Sequence, residues 1–230
     1  MPATLRARAV PVGRIMWFGR TWRPRLHADD GSAMGYEAAV EWDLQPQLDG
    51  RVFTAPDGIA LRRGPHGLGL YVTRAFRAGD VIYSSGWFTV PDAPHAYRVL
   101  AEVDGEVETL EVTRLHSVKY TDIRTFDVPG CFMNHACEPT SASVDRIDGE
   151  GAEVTVYDQV ALVDLVPGDP ITCDYTLFDW DCDGHQFTCA CGAPRCYGRI
   201  AGFAGLPAER QRELEDRIIY ESARMWAAAR

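Results

Sequence analysis

Four cysteines have the residue type and the spacing of a metal site. Cys137 ends an Asn-His-Ala-Cys segment, and further along the chain Cys189, Cys191 and Cys196 form a Cys-x-Cys-x4-Cys loop. Four thiolates are the right number and kind of ligand to close a tetrahedral zinc site, and they leave no coordination position for water. We therefore predict a structural zinc ion rather than a catalytic one. Cys182 is an alternative ligand, although its spacing fits less well.

Other features of the sequence favour metal ligation over a disulfide framework. The chain has seven cysteines, an odd number. Arginines, Pro11 and Gly13 interrupt the N-terminal segment, so it contains no apolar stretch of signal-peptide length, and no apolar run is long enough to cross a bilayer. We expect a cytoplasmic protein with reduced thiols and no membrane association. Buried free thiols without a metal are the alternative for the four cysteines.

The overall charge bears on the partner. The chain has 230 residues and a formal net charge of -10 at pH 7. This charge disfavours direct binding to nucleic-acid phosphates and suits a basic partner, although a solvated acidic surface is the commoner reason for it. Lys119 is the only lysine, so all but one of the 23 basic residues are arginine. That bias indicates GC-rich coding and favours a bacterial origin.

Short β-like runs alternate with turn signals from residue 59 onward. Helical periods are missing between these runs, so the pattern predicts a mostly β, α+β fold built of short antiparallel sheets, not a βαβ sheet. The predicted strands are 59–61, 69–73, 81–83, 99–103, 107–112, 154–157 and 170–174.

A glycine-rich segment offers an alternative that the surrounding residues disfavour. Gly67-Leu68-Gly69 could begin a dinucleotide-binding loop of a Rossmann fold. It lacks the third glycine, however, and a strand-like run follows where a helix should begin. We therefore interpret it as a turn between strands.

The two ends of the chain depart from the strand pattern. Residues 1–57 scatter aromatic side chains among Gly, Pro and Asp without a period, and we assign them no function. After Leu206, Pro207 can begin a helix, and Glu213 precedes Arg217 by four residues. An amphipathic helix over 206–230 follows from apolar or small residues near a 3.6 period, namely Leu214, Ile218, Ser222, Met225 and Trp226.

Four motifs occur in a fixed order and carry a family resemblance. They are Gly64-x-x-Gly-Leu-Gly-Leu-Tyr-Val, Asn134-His-Ala-Cys-x-Pro, Pro167-Gly-Asp-x-Ile-Thr-Cys-Asp-Tyr, and Cys189-x-Cys-Gly-x3-Cys-x-Gly-x-Ile. In this order they resemble the SET-domain protein lysine methyltransferases that carry a post-SET zinc module. The resemblance implies a SET domain over 58–178 and a post-SET module over 179–205. No cysteine-rich pre-SET region precedes it.

The resemblance also implies a site for S-adenosylmethionine. In this family the glycine-rich turn and the Asn-His segment hold the cofactor through backbone groups, and glycines let the backbone approach a ligand closely. An aromatic residue of the post-SET segment would complete the cleft for cofactor and substrate. The predicted cofactor residues are Gly67, Leu68, Gly69, Asn134, His135 and Phe203, or an aromatic neighbour of Phe203; His135 is not predicted to act as a base.

Tyr175 matches the catalytic tyrosine of the family. Methyl transfer is an in-line attack of a neutral amine on a sulfonium methyl, so the enzyme must chiefly align the two groups. Presenting a neutral lysine amine at pH 7 costs about 4.6 kcal/mol, and a desolvated channel beside a cation lowers that cost. The Tyr175 hydroxyl would orient the amine. The alternative is a tyrosine that only fills the core at a strand end.

Several residues depart from the family pattern. Thr140 stands where an Asn is usual, Cys131 where an Arg is frequent, and Asp169 is followed by proline instead of a second acid. The largest difference is Cys173, which replaces the usual Phe or Tyr in the acceptor channel. We interpret this buried thiol as a small spacer and not as a nucleophile. A wider cavity there would permit multiple methylation or a bulkier acceptor.

Three functions compatible with these motifs belong to different classes. The first is an S-adenosylmethionine-dependent methyltransferase acting on a protein or peptide lysine. The second is an enzyme of the same fold acting on a small amine, a free amino acid or a carrier-bound intermediate. The third is a non-catalytic zinc adaptor that binds a peptide or cofactor.

A homodimer is a further alternative, because Met225 and Trp226 could pack on another subunit as readily as on their own domain.

Overall fold

The computed structural model describes residues 42–43, 52–86, 88–91, 97–112, 118–120, 123–146, 156–218 and 228. All of them belong to one compact unit, Glu37–Arg230. Most of the predicted lead-in, and the predicted helical positions Ser222, Met225 and Trp226, lie outside the described residues.

Short strands dominate this part of the chain, as the sequence predicts. Beta-branched and aromatic residues fill the strands, and glycine or proline turns separate them. The strands are β1 (Trp42–Asp43), β2 (Ile59–Gly64), β3 (Gly67–Val72), β4 (Val81–Gly86), β5 (Phe88–Pro91), β6 (Tyr97–Val103), β7 (Glu106–Val112), β8 (Val118–Tyr120), β9 (Ile123–Phe126), β10 (Asn134–His135), β11 (Ser141–Arg146), β12 (Val156–Ala161), β13 (Pro170–Cys173), β14 (Phe187–Thr188) and β15 (Arg199–Ile200).

The strands form four small sheets, and most neighbours are antiparallel. The largest sheet has the order β1-β6-β2-β3-β13-β10, with β7 paired to β6. The other sheets are β11-β12-β4, β5-β9-β8 and the pair β14-β15. Parallel pairing occurs in short stretches, between β1 and β6, β2 and β6, and β10 and β13. The predicted α+β fold of short antiparallel sheets is therefore confirmed.

The glycine-rich segment is the turn of a hairpin and not a dinucleotide loop. Strands β2 and β3 pair antiparallel, with Gly64 opposite Gly67. Gly67 has a φ of +89°, a conformation that glycine adopts without strain. Strand β3 then pairs with β13, with Ile171 opposite Leu70, so the hairpin lies beside the strand that leads to Tyr175.

Two apolar clusters hold the described residues together. The larger cluster joins β2, β3, β4, β6, β7, β12 and β13, and includes Leu61, Leu70, Val72 and Ile171. The smaller one lies near the C-terminus and contains Phe203, Leu206, Leu214 and Ile218. The Asn134-His135 strand and the Tyr175 turn follow directly from elements of the larger cluster, so the main core positions one side of the candidate site.

The predicted terminal helix begins where the sequence indicates. Helix α1 (Ala208–Leu214) follows Pro207 and continues as a 3₁₀ turn, Glu215–Arg217, but Ile218 is extended, so the helix predicted over 206–230 is interrupted at this residue. Glu213 forms ion pairs with Arg210 and Arg195. The sequence spacing had predicted Arg217 as its partner. Within the described part of the chain, no helix is long and apolar enough to span a membrane.

Candidate functional site

The structure brings the four predicted zinc ligands together. The sulfur atoms of Cys137, Cys189, Cys191 and Cys196 all lie within 4.8 Å of one another. Cys137 Sγ is 3.7 Å from Cys189 Sγ and 3.9 Å from Cys196 Sγ. Four thiolates around a tetrahedral zinc, with Zn–S bonds of about 2.3 Å, are spaced by about 3.8 Å. The donor set and its spacing therefore fit zinc, and Cys182 lies outside this cluster.

Backbone N–H groups surround these sulfur atoms. Tyr197 N donates to Cys137 Sγ at 3.3 Å, and Cys191 N donates to Cys189 Sγ at 3.4 Å. Gly198 N donates to Cys196 Sγ at 3.4 Å. Such donors favour the thiolate form that a metal requires and orient the ligands. The cysteine loop thus has the conformation that a structural metal site requires.

His135 connects the cysteine cluster to the turn that carries Tyr175. The backbone N–H of Tyr175 donates to His135 Nδ1 at 3.1 Å, so Nδ1 carries no proton. The proton of the neutral ring then sits on Nε2, which lies 3.2 Å from Cys137 Sγ and can donate to it. Burial lowers the pKa of His135, against the raising effect of Asp174, and this favours the neutral ring. The 3.8 Å contact between Nδ1 and Asp174 Oδ1 is therefore not an ion pair.

Asp174 ties the same turn to the C-terminal segments. Its Oδ1 accepts hydrogen bonds from both Thr176 N and Thr176 Oγ1, at 3.0 and 2.7 Å. Its Oδ2 accepts one from Tyr197 Oη at 2.8 Å, and Arg210 donates to that hydroxyl at 3.0 Å. Asp174 is 3% exposed, so these bonds replace the water that a buried carboxylate loses.

The Tyr175 hydroxyl is fixed at the edge of a cavity. It donates to the backbone oxygen of Met133 at 2.7 Å, which leaves its oxygen lone pairs available as acceptors. Burial raises the pKa of Tyr175, so the hydroxyl stays protonated at neutral pH. The cavity has a volume of about 270 Å³ and is lined by His66, Leu68, Leu110, Glu111, Cys131, Phe132, Asn134 and Tyr175.

Two of the predicted cofactor residues, Leu68 and Asn134, line this cavity. Asn134 Nδ2 donates to the backbone oxygen of Leu68 at 3.1 Å, which joins β10 to the hairpin turn. A side chain at Gly69 would place its Cβ 2.6 Å from the same Nδ2 atom, so glycine permits this contact. Gly67 borders open space, where a ligand can approach its backbone. The Leu68 main chain and the Asn134 amide side chain thus lie together at this cavity.

The departures from the family pattern have structural partners. Thr140 and Thr172 form reciprocal bonds: Thr172 N donates to Thr140 Oγ1 at 2.9 Å, and Thr140 N donates to Thr172 Oγ1 at 3.0 Å. Cys173 is 6% exposed and belongs to the larger core cluster. Burial raises the pKa of Cys173, and the charges of Asp174 and Asp127 raise it further, so the thiol is protonated. This agrees with a spacer and not with a nucleophile.

Phe203 lies in a different place from the predicted cleft. Its side chain is fully buried in the smaller cluster and stacks on Trp180, with ring centroids 6.2 Å apart. It therefore presents no surface to a ligand. The aromatic ring next to the site is Phe187, which is 40% exposed and lies edge-on to both His135 and Tyr175, at centroid distances of 6.0 and 6.2 Å.

Three neighbours of the site escaped the sequence analysis. Phe187 occupies β14, which pairs with β15 and so stands beside the Cys189 loop. Tyr197 directly follows the ligand Cys196, and that position is the signal that could have identified it. Arg210 lies on α1 with its guanidinium 5.3 Å from the centre of the Tyr197 ring, and nothing in its local sequence indicates this contact.

A second, larger cavity lies elsewhere. It has a volume of about 450 Å³ between β2 and the β6–β7 turn, and it is lined by Thr54, Ala55, Ile59, Ala60, Leu61, Arg62, Glu102, Asp104 and Gly105. It shares no residue with the cavity at Tyr175 and contains none of the predicted site residues. The smaller cavity is therefore the candidate site.

Comparison with known proteins finds similarity to a protein family. Residues 67–176 match the family model of the SET domain, a range that includes the Gly-rich hairpin, the Asn-His strand and Tyr175. This range is a little under half of the chain. A histone-lysine N-methyltransferase of Kluyveromyces lactis, described as specific for lysine 4 of histone H3, is 35% identical over 68 residues. Those residues are 29% of this chain and only 6% of the relative, so the match concerns a small part of that protein.

Solved structures with partly similar folds include the following two. The methyltransferase domain of the human histone-lysine N-methyltransferase SETMAR is 18% identical, with a TM-score of 0.39, over 63% of this chain and 58% of that one. KRYPTONITE, solved in complex with mCHG DNA and SAH, is 15% identical, with a TM-score of 0.40, over 61% of this chain and 28% of that one.

Proposed function

We propose that this protein transfers a methyl group from S-adenosylmethionine to the side-chain amine of a lysine in a protein or peptide. The observation that carries the proposal is the convergence of the Tyr175 hydroxyl, the Asn134 amide and the hairpin turn on one cavity. The match of residues 67–176 to the SET-domain model and the similarity to a histone-lysine N-methyltransferase support the reaction class. S-adenosylmethionine would supply an electrophilic methyl group there.

The residues around the cavity suit the two ends of the reaction. The Asn134 amide, held by Leu68 O, would accept from the ammonium of the cofactor's amino acid group, and the open backbone at Gly67 would let the cofactor approach. The Tyr175 oxygen would accept an N–H of the amine, because the hydroxyl proton is engaged by Met133 O. That bond turns the nitrogen lone pair away from Tyr175 and toward the methyl group.

The post-SET cysteines would place the other wall of the site. Zinc bound by the four thiolates would hold the loop that carries Phe187 against His135 and Tyr175. The neutral His135 would couple the position of the cysteine loop to that of Tyr175, since it contacts both Cys137 Sγ and the backbone of Tyr175. We therefore expect cofactor affinity to depend on zinc, although zinc takes no part in the methyl transfer.

A labelling assay tests the proposal. The purified protein is incubated with S-adenosylmethionine carrying a labelled methyl group and with a cell lysate, either complete or depleted of macromolecules by filtration. We expect label in the protein fraction of the complete lysate, as methyl-lysine after hydrolysis, and none with Tyr175→Phe. Label only in the filtrate would indicate a small amine as the acceptor. Failure to bind S-adenosylmethionine in calorimetry would instead indicate a non-catalytic module.

A further inference from the structure

A buried carboxylate lies behind the turn that leads into β10. Asp127 is 4% exposed, and its Oδ2 accepts hydrogen bonds from Tyr157 Oη at 2.5 Å and from Gly130 N at 2.9 Å. The Tyr157 hydroxyl in turn lies 3.3 Å from the hydroxyl of Tyr83. Burying a carboxylate costs free energy, and the residues assigned to the reaction so far do not account for this one.

The carboxylate determines the first hydrogen bonds of the turn. The turn is a single 3₁₀ turn, Gly130–Phe132. The Asp127 side chain accepts from Gly130 N, and the Asp127 backbone oxygen accepts from Cys131 N at 2.9 Å. Gly130 O then accepts from Met133 N, also at 2.9 Å. A side chain at Gly130 would overlap both carboxylate oxygens, so the carboxylate packs directly on the backbone that leads to Met133.

The turn ends at the group that holds the Tyr175 hydroxyl. Met133 O accepts from Tyr175 Oη at 2.7 Å. Two residues of the turn, Cys131 and Phe132, line the same cavity as Tyr175. The Tyr175 oxygen can accept from an amine only while its own proton is engaged elsewhere, because a free hydroxyl would donate to the nitrogen lone pair. The position of Met133 O therefore determines whether Tyr175 can orient the amine.

We propose that Asp127 is a positioning residue for methyl transfer: as a carboxylate it sets the turn that presents Met133 O to the Tyr175 hydroxyl. This inference rests on the proposed function. Asp127 is not placed against cofactor or lysine, and it acts through Met133 and Tyr175. Hydrogen bonds to an ionised acceptor are about twice as strong as bonds between neutral groups. A neutral side chain at position 127 would therefore hold the turn, and with it Met133 O, less firmly.

The surroundings of Asp127 make it the group of this cluster that titrates near neutral pH. Burial raises the pKa of Asp127 to about 6, against the hydrogen bonds from Tyr157 and Gly130 that lower it. Burial also raises the pKa of each described titratable group that faces Asp127, so these groups stay neutral between pH 5 and 8. They are Tyr83 on β4, Tyr157 on β12, Cys131 in the turn and Cys173 on β13.

Protonation of Asp127 should therefore reduce the rate without unfolding the protein. The acceptor amine must lose a proton before it attacks, so the logarithm of the rate rises by about one unit per pH unit on the acid side of the profile. Below about pH 6, protonation of Asp127 adds a second unit to this slope. The raised pKa means that the folded state favours the protonated form, so acid does not destabilise the fold through this group.

The test compares rates and pH profiles of variants that change the carboxylate or its hydroxyl partner. Each protein transfers labelled methyl groups to a bacterial lysate protein fraction clarified at pH 5, and initial rates are measured from pH 5 to 8. We expect Asp127→Asn to lower the rate at pH 8 about tenfold, the effect of one net hydrogen bond, with unchanged S-adenosylmethionine affinity in calorimetry. Below about pH 6 the parent profile should be steeper than that of Asp127→Asn by about one unit.

A second variant moves the change of slope instead of removing it. Tyr157→Phe deletes a hydrogen bond that lowers the pKa of Asp127, so the steeper part of the profile should begin about one pH unit higher than in the parent. A residue that only supported the fold would change the rate at every pH alike. The direction of this shift therefore reports on the carboxylate itself.

The matched control is Asp158→Asn, which makes the same replacement one residue after Tyr157, where the carboxylate accepts from Ser84 Oγ. Its rate and profile should equal those of the parent, and thermal melting at each pH establishes that every variant is folded. Folded Asp127→Asn with the parent's rate and profile overturns this inference alone, as does an equal loss of rate and cofactor affinity. If Asp127→Asn does not fold, a Tyr157→Phe profile that changes slope at the parent's pH overturns it. A parent that makes no methyl-lysine overturns the proposed function and the inference with it.

Discussion

The two sides of Tyr175 are held by different means. On the side of the main sheet, Tyr83 and Tyr157 belong to a large apolar cluster that seven strands build, and Tyr157 donates a hydrogen bond to the buried Asp127. On the other side, the Cys189 loop rests on four thiols, two short strands and a cluster of only four fully buried residues. His135 and Asp174 join the second side to the first through hydrogen bonds. One wall of the site therefore depends on packing, and we propose that the other depends on a metal held by the four thiols.

This difference predicts that each wall can lose its ordered structure while the other keeps it. Packing in the main cluster is shared by many residues, so it should survive the loss of zinc. The cysteine loop has too little apolar area to stay ordered by itself, because small units need metals or disulfides to fold. A substitution of Tyr175 should affect both walls of the site. A substitution within one wall should affect that wall alone.

The largest effect is expected where the two walls meet. Replacing Tyr175 by Phe removes the acceptor for the amine but no contact with the adenosine, so turnover should fall by about 100-fold or more. S-adenosylmethionine affinity should stay within a few fold, as measured by calorimetry. Steady-state kinetics in the labelling assay give the turnover. Unchanged turnover would remove Tyr175 from the mechanism.

Removing one metal ligand should break the metal-dependent wall alone. The parent should contain about one equivalent of zinc, and Cys191→Ser should lose it together with cofactor affinity. Hydrogen exchange should show residues 187–200 unprotected while β2 and β3 keep their protection. Cys182→Ser is the matched control, since Cys182 lies outside the cluster and its loss should leave the zinc content unchanged. Zinc retained at the parent level in Cys191→Ser would contradict the four-thiolate assignment.

The packed wall should show its own dependence on pH. The folded-state pKa of Asp127 is about 6, above the ordinary value of 3.8, so the protonated form is favoured in the folded protein. Its contribution to stability is therefore complete below about pH 4 and is lost as pH rises through about 6, a change of about 3 kcal/mol. The free energy of unfolding of Asp127→Asn, subtracted from that of the parent at each pH, should follow this curve. A difference that stays constant from pH 4 to 7 would show that Asp127 keeps its ordinary pKa.

The smallest effect is expected at a link between the walls. Tyr197→Phe removes the hydroxyl that joins Asp174 to Arg210, which should lower the free energy of unfolding by about 1 kcal/mol. The ligand Cys196 and the Tyr197 backbone are unchanged, so zinc should be retained. Chemical denaturation and elemental analysis check both expectations. A loss of zinc in this variant would mean that the loop depends on Asp174 more than on its own thiols.

The strands of the packed wall were largely predictable from sequence, because alternating apolar residues and glycine turns determine local structure. Strands such as β2, β3 and β13 follow from that pattern, and the motifs identify Asn134 and Tyr175. The four cysteines were also found from spacing, since metal ligands must be of a few types. In contrast, Tyr83 lies on β4 and Asp127 follows β9, with no spacing to relate them, and only the tertiary fold brings them together.

The aromatic wall shows the same limit. Phe203 fits the motif pattern, but packing against Trp180 and the terminal helix buries it, while Phe187 reaches the site. Both residues are apolar and belong to the same segment, the predicted post-SET module. Which of two such rings faces a cavity is decided by the path of the chain between the cysteines, and hydrophobicity alone does not encode that path.

The dependence of methyl transfer on zinc tests the two-wall account most directly. A chelator is added in steps to the purified protein, and bound zinc, methyl transfer to lysate protein and the melting temperature are measured in each sample. We predict that transfer falls in proportion to bound zinc, that the main melting transition persists, and that added zinc restores activity. Full transfer by protein without zinc, or loss of the whole fold together with the metal, would contradict the account.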